Sequence, residues 1–244
     1  MRLLIIRHGD PDYAKDSLTE KGWREAELLS RRISRMEVAE FYVSSLGRAK
    51  DTASLTLEKM GRTAIECEWL REFWPGIKRP DLAEGKRSIA WDWLPQDWTA
   101  EEPYFQRDKW SDTDIMREGR VGDAYTEVVE NFDAVLAKHG YVREGDLYRA
   151  ECPNRDTIVF FCHFGMECVL LSHLLNVSPM ILWHNTCAAP TAVTTLYTEE
   201  RRPARAIFRM TSFGDTAHLY VAGEEPSFAA RFCETYDSEE ERRD

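Results

Sequence analysis

The chain has 244 residues, of which 43% are hydrophobic and 31% charged, a globular balance sized for one substantial core. Its net charge of -11 excludes general attraction to nucleic acid or anionic lipid, because a field of that sign repels phosphate polymers. No run approaches the roughly 18 apolar residues of a membrane span, and the N-terminus enters a strand-like run without a signal-peptide plan, so a cytoplasmic protein is expected.

Residues 2–7 predict a buried strand, since Leu3-Leu4-Ile5-Ile6 is continuously apolar, and it ends in Arg7-His8-Gly9. A cation, an imidazole and a flexible turn at a strand end open into a crevice suited to a phosphate. Ser17-Leu18-Thr19-Glu20 predicts a helix start, with Glu20/Arg24 and Glu27/Arg31 four apart on its solvent face. Phe41-Tyr42-Val43 reads as a short strand ending at Ser44-Ser45, followed by a helix with Leu46, Ala49, Ala53, Leu57 and Met60 on one side. A third strand is expected at Ala64-Ile65-Glu66-Cys67.

From Phe73 to about Arg120 the alternation breaks into four prolines among Trp74, Trp91, Trp93, Trp98, Tyr104, Phe105 and Trp110. These residues predict an insertion with something to cover, not a disordered linker. Tyr125, Val128, Val129, Phe132 and Leu136 mark an amphipathic helix closing at His139-Gly140. The polar stretch at 141–155 is expected to carry the chain back to a second continuous strand at 157–162, which delivers His163. A helix through Val169-Leu170-Leu171 and strands near 191–198 and 205–211 follow, with a tail from Asp237 to Asp244 expected to fray. The expected architecture is therefore one α/β domain over 1–244, a three-layer sandwich with a mostly parallel sheet, helices on both faces and residues 73–120 as an aromatic cap.

Phosphate-ester chemistry needs a nucleophile, cations for the equatorial oxygens and a proton donor for the leaving oxygen. His8 is the candidate nucleophile, because a neutral imidazole nitrogen attacks phosphorus without prior deprotonation. Arg7 and Arg48 are candidate clamps, since a planar guanidinium donates paired hydrogen bonds to phosphate oxygens. Arg48 is expected in the first turn of its helix, where free amides favour anions. His163, from the other strand end, is a candidate donor to the transferring group. His139, His173, His184 and His218 lack metal-ligand spacing and default to structure or surface.

Four segments together resemble the histidine phosphatase superfamily, the phosphoglycerate-mutase-like proteins. They are Arg7-His8-Gly9, Leu18-Thr19-Glu20-Lys21-Gly22 with Glu25-Ala26, Ser44-Ser45-Leu46-Gly47-Arg48-Ala49 with Thr52-Ala53, and Leu70-Arg71-Glu72; His163 stands in the expected late position. The resemblance implies a parallel-rich α/β sandwich, a phosphohistidine on His8, a pocket of Arg7, Arg48 and His163, Glu72 as general acid and base, and no metal or cofactor. Glu66 and Glu68 stand close enough in sequence to be rival acids.

Phe164 follows the second histidine where the family commonly has glycine, so its amide is a candidate substrate contact in an altered place. Ala14 stands where the mutase branch often has asparagine, and Phe73-Trp74-Pro75-Gly76-Ile77 lacks the mutase-like glycine and second glutamate. These departures point to hydrolysis of a small-molecule phosphomonoester. A phosphoglycerate-type mutase and a non-catalytic phospholigand-binding module are the alternatives.

Overall fold

The apolar run at Leu3–Ile6 becomes the centre of a sheet buried on both faces, which is why it shows no alternation of polar residues. In a computed structural model, which describes residues 1–229, 231 and 233–239, Leu3 and Ile5 join one hydrophobic cluster while Leu4 and Ile6 join the other. The second continuous run splits the same way, with Ile158, Phe160 and Cys162 on one face and Val159 and Phe161 on the other.

In chain order, β1 (Arg2–Arg7) leads to a small ribbon, β2 (Pro11–Asp12) and β3 (Ser17–Leu18), and then to α1 (Glu20–Ile33). Thr19 caps α1 by accepting from Gly22 N at 3.1 Å, and Glu20 sits in its first turn. The expected pairs form on its exposed face, Arg24 to Glu20 and Arg31 to Glu27, each at 3.0 Å. Next come β4 (Glu40–Ser44), α2 (Gly47–Met60) and β5 (Ile65–Cys67). Gly61 closes α2 in the left-handed conformation, φ 61°, which a Cβ would disfavour.

The aromatic segment carries a two-stranded ribbon, β6 (Gly76–Ile77) with β7 (Ser88–Ile89), and the short helices α3 (Pro95–Trp98) and α4 (Asp114–Glu118). Trp93, Trp98, Tyr104, Trp110 and Met116 are buried in the same cluster as Phe73 and Phe160, so this segment packs on the body of the protein. Then follow α5 (Val121–Lys138), β8 (Tyr141–Glu144), β9 (Leu147–Ala150), β10 (Thr157–Cys162), α6 (Phe164–Leu175), α7 (Pro179–Asn185), β11 (Val193–Arg202), β12 (Arg205–Asp215) and α8 (Ala217–Ala222).

The eight-stranded sheet runs β5-β4-β10-β1-β11-β12-β9-β8. Strands β5, β4, β10 and β1 are parallel, and every pairing beyond β1 is antiparallel. The mostly parallel order expected from the sequence is thus confined to one half of a mixed sheet; in the other half β11–β12 and β8–β9 are tight hairpins, which only antiparallel neighbours allow. The polar stretch at 141–155 is itself such a hairpin, β8 to β9, turning at Gly145 with φ 61°. Residues of α1 and α2 cover one face, and α5, α6 and the aromatic segment cover the other. Of the tail expected to fray, residues 240–244 lie outside the described residues. Among the described residues no helix is long and apolar enough to cross a membrane.

Candidate active site

Register brings the two histidines together. Strands β1 and β10 pair in parallel with Arg7 opposite Cys162, so the chain leaves both strands at one level and places His8 and His163 side by side. Their ring centroids are 5.1 Å apart. This is the carboxyl edge of the parallel half, where open sheets form crevices.

His8 is almost fully buried, and its Nδ1 lies 2.7 Å from Gly9 O. A carbonyl only accepts, so Nδ1 holds the ring proton and Nε2 keeps its lone pair. Burial first, then the guanidinium groups of Arg7 and Arg48, push its pKa well below the ordinary histidine range, so the ring is neutral at physiological pH. Around it the backbone is held tightly: Gly9 N donates to Thr52 Oγ1 at 2.9 Å and Asp10 N to Glu25 Oε2 at 3.1 Å.

Arg7 donates from Nη1 to Ala188 O at 2.7 Å and to Ala229 O at 3.0 Å. Arg48, on the first turn of α2, is held by Asp16 Oδ1 at 2.7 Å, and Tyr13 lies against it with the guanidinium carbon 5.4 Å from the ring centre. Asp16 Oδ2 also accepts from Gly47 N at 2.6 Å. The α2 amide expected to favour an outside anion therefore already faces a carboxylate of the protein. Gly47 permits this approach, since a Cβ there would stand 2.1 Å from Asp16 O.

His163 is fully buried, and its Nε2 lies 2.8 Å from Ser44 Oγ. Leu46 N donates to the same Ser44 oxygen at 3.2 Å; with the Ser44 hydroxyl donating to Nε2, the ring proton sits on Nδ1. Burial, then His8, Arg48 and Arg7, keep this ring neutral as well. Three buried donors, Arg7 Nε, Arg48 Nε and His163 Nδ1, have no hydrogen-bond partner among the described residues.

Glu72 sits at the N-terminus of α6. Its Oε1 accepts from Phe73 N at 2.8 Å and Met166 N at 2.9 Å, and its Oε2 accepts from Gly165 N at 3.3 Å. Burial raises its pKa above the ordinary carboxylate value, with these amides opposing the shift. The rival acids are engaged elsewhere on the surface, Glu66 with Lys50 at 2.8 Å and Glu68 with Arg71 at 3.0 Å.

Gly165 makes the cradle possible: a Cβ there would lie 2.6 Å from Trp91 Nε1 and 2.7 Å from Glu72 Oε1. Phe164 turns its side chain inward, buried against Trp91 at 6.1 Å between ring centres, so only its main chain is left for a ligand.

Sequence reasoning missed Asp16, Ser44 and the glycine of the cradle. Asp16 had a faint signal in the Gly47 that precedes Arg48, whereas nothing local announces a contact 32 residues distant. Three of the remaining histidines bond within the fold: His173 pairs with Asp133 at 2.9 Å, His139 with Glu40 at 3.0 Å, and His218 with Thr191 Oγ1 at 3.1 Å. Among the described residues no group of three or more His, Cys, Asp or Glu side chains is arranged to hold a metal ion.

The profile of the histidine phosphatase superfamily, branch 1, matches residues 3–209. The chain belongs to that family. A "Probable phosphoglycerate mutase GpmB" of Serratia proteamaculans is 27% identical over 152 residues, 57% of this chain and 70% of the relative. A 2,3-bisphosphoglycerate-dependent phosphoglycerate mutase of Thermoplasma acidophilum is 29% identical over 86 residues, 31% of this chain and 43% of the relative. Among solved structures, a phosphoserine phosphatase mutant of Entamoeba histolytica in complex with phosphoserine superposes with a TM-score of 0.59 at 18% identity, covering 89% of this chain and 98% of that one. A mycobacterial glucosyl-3-phosphoglycerate phosphatase in complex with VO3 gives 0.52 at 18% identity over 87% and 98%. At these identities the two structures speak for the shared fold.

Proposed function

We propose that the chain is a metal-independent phosphatase that hydrolyses a small-molecule phosphomonoester through a phosphohistidine on His8. The observation that carries this reading is the set of buried donors, Arg7 Nε, Arg48 Nε and His163 Nδ1, without protein partners around a bare His8 nitrogen. A buried donor left unsatisfied costs about 1–3 kcal/mol, and a phosphoryl group supplies the acceptor oxygens all three lack.

In the first step the His8 Nε2 lone pair attacks phosphorus and the bond from phosphorus to the ester oxygen breaks. Glu72, whose pKa burial raises, acts from its protonated form and passes the proton to the leaving oxygen. The positive charge that develops on the imidazole is stabilised through Nδ1–H by Gly9 O. In the second step Glu72, now a carboxylate, takes a proton from water. The oxygen of that water attacks phosphorus, and the bond to Nε2 breaks to restore the neutral ring. Arg7, Arg48 and His163 hold the equatorial oxygens throughout.

The named relatives above include mutases, and a mutase must retain a second phosphate. The nearby cation Arg79 does not favour that reading, because it is bound to Asp81 at 2.7 and 2.9 Å and to Asp92 at 3.1 Å. Reactions with a radiolabelled phosphomonoester, stopped with detergent at alkaline pH, test the proposal. Base-stable label on His8, phosphate release that survives dialysis against EDTA, and loss of both label and release in His8→Ala are expected. Label on another residue, or turnover by His8→Ala at the native rate, would refute it.

A further inference from the structure

A cavity of about 480 Å³ is walled by Trp91, Trp98 and Trp183 and bordered by Arg79, Asp92, His184, Arg231 and Glu234. Trp91 ties it to the chemistry, since its indole and the Glu72 carboxylate rest over the same glycine, Gly165. Cys187, also on its wall, directly precedes Ala188, whose carbonyl holds Arg7.

The polar groups of this cavity are already engaged. Trp91 Nε1 donates to Phe73 O and Trp183 Nε1 to Gly165 O, each at 3.0 Å. His184 Nδ1 donates to Met180 O at 2.8 Å, its Nε2 accepts from Trp93 N at 3.1 Å, and the ring stacks on Trp98 at 5.1 Å between centres. Burial lowers its pKa to about 4, so it adds no charge. Arg79 is bound to Asp81 and Asp92, Arg231 is paired with Glu234 at 2.8 Å, and Thr186 Oγ1 donates to Leu182 O at 2.7 Å. Beside these engaged groups the wall offers ring faces and edges, which recognise flat, uncharged π systems.

We propose that this cavity receives the alcohol part of the substrate, and that this part carries a flat, uncharged aromatic ring close to the ester oxygen. The proposal rests on the phosphatase reading, in which Glu72 protonates that oxygen and so faces the leaving group. The substituent on the oxygen then lies beside Trp91.

The test compares benzyl phosphate with cyclohexylmethyl phosphate, a pair alike in length and leaving-group chemistry but differing in flatness. The ratio of their kcat/KM values is independent of the fraction of folded enzyme. A ratio of about ten in favour of the benzyl ester is expected, falling to about one in Trp91→Leu and in Trp98→Leu. A native ratio near one, or a ratio that persists in both variants, overturns the proposal. If neither ester is turned over, the phosphatase reading fails by itself, and binding of benzylphosphonate against cyclohexylmethylphosphonate, read by tryptophan fluorescence, still decides the cavity. A benzyl preference lost in the two variants supports it, and equal binding overturns it.

Discussion

Replacing Glu167 by glutamine should change how stability depends on pH, by an amount that follows from the position of the side chain. Glu167 lies in the first turn of α6, has no solvent exposure, and is pushed by burial from the ordinary value of 4.5 up to about 8. Below the unfolded value both states are protonated and its titration adds no penalty. Between 4.5 and about 8 the unfolded chain has released its proton while the folded chain retains it, so each pH unit removes about 1.4 kcal/mol of stability. Above the folded value the penalty stays constant.

From about pH 5 to about pH 8 the loss amounts to on the order of 3 kcal/mol, and the uncharged glutamine does not share it. Glu25, raised to about 7 by burial, adds a loss of the same sign, but it is present in both proteins and cancels in their difference. Urea unfolding of the native protein and Glu167→Gln at about pH 5 and about pH 8 measures that difference. The variant should gain on the native protein by about 3 kcal/mol across this window. A stability difference that does not change with pH would show that Glu167 ionises normally and that burial does not hold it neutral.

Two further outcomes are expected from the acid and its cradle. Glu72→Gln should lower kcat by on the order of a hundred- to ten-thousand-fold for an alkyl phosphate, and much less for p-nitrophenyl phosphate, whose leaving group needs no proton; equal losses on both would remove Glu72 from the proton-transfer role. Gly165→Ala should reduce kcat by at least about tenfold with a smaller change in KM, because the new methyl would displace the Glu72 carboxylate and Trp91; an unchanged kcat in steady-state assays would contradict the cradle.

The parts of this protein legible from sequence are those whose signal is local. The two central strands announce themselves because burial on both faces makes a continuous apolar run, and the polar residues that end such a run, Arg7-His8 and His163, stand out against it. Helix α1 is legible through Thr19 and its four-residue charge pairs. Hairpin β8–β9 reads as a polar connection because each strand has only four residues and Arg143, Glu144 and Arg149 interrupt its apolar positions. Helices α7 and α8 are seven and six residues long, too short for a periodic pattern, although Ser178-Pro179 is a start signal that would have found the first. The support of the site was illegible for a different reason: Asp16 to Arg48, Ser44 to His163 and Glu72 to Met166 span 32, 119 and 94 residues, and such contacts exist only after the sheet has fixed its register.

Those long-range contacts also explain why the candidate site depends on side chains. A helix N-terminus is ordinarily a ready place for an anion. Here Asp16 takes the Gly47 amide at the start of α2, and Glu72 takes the Gly165 and Met166 amides at the start of α6. The amides thus orient two carboxylates, one of them holding Arg48. On the proposed phosphatase reading, recognition of a phosphoryl group then falls to Arg7, Arg48 and His163, which carry buried donors without hydrogen-bond partners among the described residues. On that reading the division keeps an acid beside a cluster of cations without neutralising it: among the described residues Glu72 has backbone partners and no ion pair, so its proton would leave and return while the guanidinium groups hold phosphate oxygens.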